Sequence, residues 1–289
     1  GTAATQATNS AYFGPDRYRC FVNGGGAYTV TQDSGHQADT GHDKALKIAV
    51  TTADTSIAAG DYYTFLQRIE SNSLQHLQYG TSSAKSLTLS FWVRATKTGT
   101  QAVFFSKQGT GTDYNHIKEY TINASNTWEH KTITIPGLTA STMANDASTY
   151  LQLGWMLKYG SNFQGTKDTW TTNGHFTTSA AVNNMDSTSN VFYITGAQLE
   201  VGDSASDFEY RTFEDELHAC KRYYQKSFDY GSAPANGGAN GVSYNGALLG
   251  YSGTNNSGTL TDNWLFNPEM RATPTVSRYG NSCGHWGRM

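Results

Sequence analysis

The sequence predicts an all-β protein in which two antiparallel sheets pack as a sandwich, followed by one α-helix and a small C-terminal β module. Three observations carry this expectation. Short runs of alternating apolar and polar residues recur as far as Val201, turn-forming residues separate them, and one later stretch alone has helical spacing. Composition agrees: charged residues make up 15% of the 289 and aromatic residues 13%, against about 25% charged in ordinary globular chains.

The clearest strand is Ser86 to Arg94, SLTLSFWVR, where Leu87, Leu89, Phe91 and Val93 share one face and Thr88, Ser90, Trp92 and Arg94 the other. The same reading makes strands of Arg17 to Val22, Ala27 to Gln32, Ala45 to Thr52, Tyr62 to Glu70, Ala102 to Ser106, Tyr114 to Ile122, Trp128 to Ile135, Tyr150 to Leu157 and Val191 to Val201. Gly24 to Gly26, Thr98 to Thr100, Gly109 to Thr112 and Pro136 with Gly137 supply turns. Many short strands without alternating helices favour a sandwich over βαβ units, with Leu89, Phe91, Val93, Leu153 and Trp155 in the core between the sheets. Gly160 to Ser189, rich in Thr, Asn, Gly and Ser, reads as a long loop decorating one edge.

From Thr212 to Lys226 the apolar residues Phe213, Leu217, Cys220 and Tyr224 fall at intervals of four, three and four. Thr212 is placed to cap this helix, with Glu214, Asp215 and Glu216 at its positive end and Lys221, Arg222 and Lys226 at its negative end. The expected organisation is a sandwich over 1–211, a connecting helix over 212–226 and a β module over 227–289, with strand-like pieces at Ala247 to Ser252 and Leu260 to Phe266. An apolar stripe must be buried against the protein's own sandwich or against a partner, and Phe213, Leu217 and Tyr224 are expected at the interface of a homo-oligomer, a trimer.

A net charge of −3 with scattered Lys and Arg lacks the basic footprint of a nucleic-acid binder. No apolar run approaches the roughly 18 residues of a membrane span. The chain opens on Gly1 rather than Met, as expected of a fragment or processed product. Cys20, Cys220 and Cys283 are far apart and odd in number, so three free thiols are expected, in keeping with folding in a reducing cytoplasm.

No catalytic set emerges. A glycan depolymerase needs two carboxylates facing one cleft, but Glu70, Glu119, Glu129 and Glu200 fall on different strands, and no GxSxG occurs. His36, Asp39, His42 and Asp43 match no standard metal spacing, so no metal or other cofactor is expected. A binding surface asks less: an aromatic platform for the apolar face of a sugar, beside groups that hydrogen-bond its hydroxyls. Trp92 with Arg94, Tyr114 with His116, and Tyr150 with Gln152 make such pairs by alternation, so Trp92, Arg94, Tyr114, Tyr150 and Gln152 are the candidate ligand contacts, on one sandwich face.

The string FYITGAQLEVGDSASDFEYRTFEDELHACKRYYQK, residues 192 to 226, resembles a signature of bacteriophage tail-fibre and other virion proteins. PDRYRC at Pro15, LQRIES at Leu66, KSLTLSFWVRA at Lys85, NASNTWEHKTITIPG at Asn123 and NPEMRATPTV at Asn267 look like the same family in the same order. The resemblance implies a jelly-roll sandwich like that of carbohydrate-binding modules and a small C-terminal domain, on an often trimeric virion appendage assembled in the host cytoplasm with other virion proteins. Host surface glycan is the expected ligand, on the chemistry of the aromatic and hydrogen-bonding residues named above. Related carbohydrate-binding modules carry paired acids in the last strand that help hold calcium; here that stretch reads Ile194, Thr195, Gly196, Ala197, so calcium is not expected there. The ending SRYGNSCGHWGRM departs from the family's continuation. The competing readings are a carbohydrate-binding module of a secreted bacterial protein and a polysaccharide depolymerase.

Overall fold

All ten segments predicted to be extended are strands in the computed structural model, which describes residues 4–6, 18–109, 111–229 and 265–277. In chain order the strands are β1 (Ala4–Gln6), β2 (Tyr18–Asn23), β3 (Ala27–Ser34), β4 (Lys44–Thr52), β5 (Tyr62–Glu70), β6 (Leu87–Ala95), β7 (Gly99–Lys107), β8 (Tyr114–Ile122), β9 (Glu129–Ile135), β10 (Thr149–Tyr159), β11 (Trp170–Thr171) and β12 (Val191–Val201). Alternation located the strands within a few residues because each has one face in the core. The two additions, β1 and β11, are too short to show a period.

The strands form an antiparallel jelly-roll sandwich. One sheet runs β1-β3-β4-β12-β6-β9 and the other β11-β8-β7-β10-β5-β2. Leu89, Phe91 and Val93 of the first sheet and Leu153 and Trp155 of the second are buried between them, as alternation predicted. Trp155 sits at the centre, stacked on Phe65 at 5.4 Å between ring centres and edge-on to Phe91 at 5.7 Å. Phe65 in turn meets Phe192 at 6.1 Å and Phe91 meets Tyr120 at 5.3 Å, so rings from both sheets interlock.

The segment after β10 does not simply decorate an edge. It folds over the outward face of the second sheet, where Ala181 joins a second apolar cluster with Leu66, Ala102, Phe104, Ile117, Met156 and Tyr159, and Phe163 and Phe176 pack against it. A buried amide pair fastens it: Asn184 Nδ2 donates to Gln101 Oε1 at 2.7 Å and to the Leu157 carbonyl at 3.2 Å. Polarity hid this role, because few apolar anchors are enough once their polar neighbours are paired.

The chain divides into two units, Gly1–Glu209 and Tyr210–Met289. In the second, a helix α1 (Phe213–Lys221) is capped by the Thr212 hydroxyl, which accepts from Asp215 N–H. It stops short of the expected Lys226. Gln225 Nε2 donates to the Lys221 carbonyl at 3.0 Å and the Pro268 carbonyl at 2.8 Å, satisfying the helix end from outside. Tyr224 therefore lies beyond the helix. The β module expected over 227–289 falls largely outside the described residues, as do Ala247 to Ser252 and Cys283.

Replacing Trp155 with Ala is expected to cost about 3–5 kcal/mol, the range for emptying a buried aromatic site. Denaturant unfolding of the full chain, followed by far-UV circular dichroism, measures it.

Candidate functional site

The five candidate contact residues do not share one face. Trp92 and Arg94 lie on β6 and point outward from the first sheet, opposite the core residues Phe91 and Val93. Gln152 points outward from the second sheet, between the core residues Leu151 and Leu153. Tyr114 packs against the intersheet core from β8, in step with Tyr120 and Ile122. Tyr150 is 2% exposed and belongs to the core cluster together with its neighbour Leu151. The pairing of β10 with β5 shifts register between Thr149 and Leu151, and this bulge turns Tyr150 inward, breaking the alternation that put it beside Gln152.

On the outward face of the second sheet a polar row crosses four strands, Arg68 opposite Gln152, Gln152 opposite Ser106 and Ser106 opposite Asn115. Arg68 Nε and Asn115 Oδ1 are both shielded from water and have no hydrogen-bond partner among the described residues. Beside Arg68, the guanidinium carbon lies 5.8 Å from the Phe21 ring centre, and that of Arg19 lies 4.6 Å from the same ring. Phe21, Tyr62, Phe163 and Phe176 are all partly exposed, and Tyr62 meets Phe163 edge-on at 5.7 Å. Gly154 makes room for this floor: a Cβ there would stand 2.2 Å from the Phe104 ring, which lies across the strand. Arg19, Phe21 and Arg68 fall on predicted strands, so alternation alone could place them on one side. Phe163 and Phe176 come from a segment with no periodic signal.

The outward face of the first sheet is organised differently. Arg94 lies over the Tyr193 ring at 4.1 Å and the Trp128 ring at 5.1 Å, and His36 meets those two rings edge-on at 5.9 and 5.3 Å. His36 Nε2 lies 3.0 Å from Asp33 Oδ2. Arg94 is thus enclosed by this protein's own rings. Trp92 packs against His130 at 5.2 Å.

Three of the acids weighed in the sequence, Glu129, Glu119 and Glu200, serve local structure. Burial alone would raise the Glu129 carboxyl, but Lys131 and the N–H groups of Ala124 and Asn123 hold it at about 2. Glu119 accepts from Lys167 and from the Thr178 hydroxyl, and Glu200 from the Ser206 N–H and hydroxyl. His36 and His42 turn to different neighbours, His42 packing on Phe208 at 4.6 Å and against Gly196, whose φ of +56° and missing Cβ admit the ring. Among the described residues no group of three His, Cys, Asp or Glu is placed to hold a metal. Cys20 is a free thiol, and burial pushes it up to about 11.

No family model matches the chain, and no curated protein matches it. Solved structures overlap it loosely. The enzymatically active domain of bacteriophage CBA120 tailspike protein 4 is 11% identical with a TM-score of 0.35, covering 64% of this chain; this chain spans 19% of that one. The family 11 carbohydrate-binding module of the cellulase Lic26A-Cel5E of Clostridium thermocellum is 13% identical with a TM-score of 0.36, covering 69% of this chain and 99% of its own. The CBM22-2 xylan-binding domain of Paenibacillus barcinonensis Xyn10C is 17% identical with a TM-score of 0.34, covering 63% and 91%. Scores at this level assign neither a family nor an activity to this chain.

His116 is fully buried on β8 with neither ring nitrogen paired among the described residues, and burial, helped by the Lys118 charge, lowers it from 6.5 to about 4. The unfolded chain therefore takes up this proton first as pH falls. Stability from the neutral ring is complete above about pH 6.5 and is lost on the way down to about 4. His116→Leu is expected to flatten the decline of the unfolding midpoint with falling pH across that window; an unchanged slope would show that His116 is not its source.

Proposed function

We propose that this protein is a non-catalytic glycan-contacting component of a bacteriophage appendage, and that the contact lies on the outward face of the second sheet. The observation that carries the reading is the juxtaposition there of Arg68 and Gln152 with partly exposed Phe21 and the aromatic residues of the overlying segment. Rings offer a platform to the C–H face of a sugar, and amide and guanidinium groups bond its hydroxyls. The first sheet supports the role less well, since Arg94 is already held between Tyr193 and Trp128. The acids described above are committed to local bonds, which favours binding over hydrolysis.

The virion assignment draws on the resemblance over residues 192 to 226. Its consequence is multivalency: a trimer presenting three weak sites, on several appendages, gains roughly 10² to 10⁴ in avidity where geometry lets them engage together. In the helical unit Phe213 is 73% and Tyr224 59% exposed, while Leu217 is partly buried. An assembly through this segment would cover the first two.

Two measurements test these statements. Phe21→Ala combined with Gln152→Ala, shown to be folded, is expected to weaken binding on a glycan array by roughly tenfold or more, from one stacking contact and one hydrogen bond. Trp92→Ala should leave binding unchanged, and the reverse pattern would move the contact to the first sheet. Sedimentation velocity of the full chain is expected to give a trimer that Leu217→Asp with Tyr224→Asp dissociates while the strand signal persists. A parent chain that sediments as a monomer contradicts the assembly.

A further inference from the structure

We infer that the glycan held on the second sheet carries a negative charge, and that its anionic group sits at Arg68. The inference rests on the glycan-contact reading and names the class of sugar polymer.

Arg68 is a fixed cation in a partly buried position, with its Nε shielded from water and unpaired among the described residues. It forms no ion pair among the described residues, whereas Lys44, Lys97, Lys118, Lys131 and Lys167 each have a carboxylate within 2.8 Å. Its cross-strand neighbours on this face are neutral, and the acid nearest to it along the chain is Glu70, two residues further on β5. Gln152 stands directly opposite on β10, Ser106 next to it on β7, Leu66 two residues before it on β5, and the Phe21 ring under its guanidinium carbon. The nearest ring thus steadies the cation without neutralising it. Arg19, 4.6 Å from the same ring centre, brings a second guanidinium to this place. The acid further along the face, Glu119, is already bound by Lys167 and Thr178.

A partly desolvated charge with no ion pair among the described residues is costly, and a ligand anion offsets that cost where a neutral hydroxyl supplies only one weak acceptor. The planar fork of a guanidinium matches two oxygens of a carboxylate or phosphate. Cross-strand neighbours stand about 5 Å apart, so Gln152 reaches a hydroxyl on the sugar whose acidic group Arg68 holds. The shared chemistry is an oxyanion on a sugar polymer, either a uronic-type carboxylate or a phosphodiester.

The test uses the full chain on an array carrying uronate-containing, phosphodiester-containing and neutral polysaccharides, with a charge-reduced counterpart of each acidic carbohydrate, made by carboxyl reduction of the uronates and by removal of the phosphate from the phosphodiesters. An acidic member is expected to bind about tenfold or more above its reduced counterpart, the scale of one charge-assisted hydrogen-bonded contact. Arg68→Gln, shown to be folded by its unfolding midpoint, should bring that ratio close to one, and Arg68→Lys should restore part of it. The uronate and phosphodiester arms identify which oxyanion is used. Equal binding to acidic and reduced members, still abolished by Phe21→Ala with Gln152→Ala, overturns the charge inference and leaves the glycan contact standing. Binding to no member overturns the glycan contact and the inference with it.

Discussion

The stack of Phe65 on Trp155, with Phe91 edge-on beneath, is the contact on which the rest of the sandwich depends. These rings belong to β5, β10 and β6, so they join the middles of both sheets. With these inward positions occupied, the register of each strand is determined, since a slip by one residue would put the rings into water and polar side chains into the core. The outward positions inherit their order from this. Arg68 faces Gln152 because Phe65 and Trp155, in register across β5 and β10, point the other way.

Two local irregularities modify that order. At the start of β10 the bulge turns Tyr150 into the core, where its ring lies 5.5 Å from the buried Lys107 ammonium. In the middle of the same strand Gly154 lets Phe104 lie flat, and the Phe163 and Phe176 rings build on it. The overlying segment then needs few apolar residues of its own. The Asn184–Gln101 amide pair satisfies polar groups that would otherwise oppose its burial.

The two outward faces spend their arginines differently. Arg94 is enclosed between Tyr193 and Trp128, with His36 across both rings, a closed arrangement that braces the loop carrying His36 against the first sheet. Arg68 has one ring near it against two for Arg94, and neither makes an ion pair among the described residues. Closed contacts stabilise the fold, while more open ones leave a charge for a ligand to meet.

How much was legible follows from what leaves a periodic trace. The sequence by itself determined the strands, the core faces of Leu89, Phe91, Val93, Leu153 and Trp155, and the capped helix start at Thr212, because alternation and capping are properties of neighbouring residues. It also brought out Gln152 as an outward polar group. Only the tertiary structure decided that Trp92 and Arg94 lie on a different sheet from Gln152, that Tyr114 and Tyr150 are turned inward, and that a Thr- and Asn-rich segment covers one face. Sheet membership, a bulge and the docking of a loop depend on residues far apart in the chain, and side-chain spacing within a single strand carries no record of them.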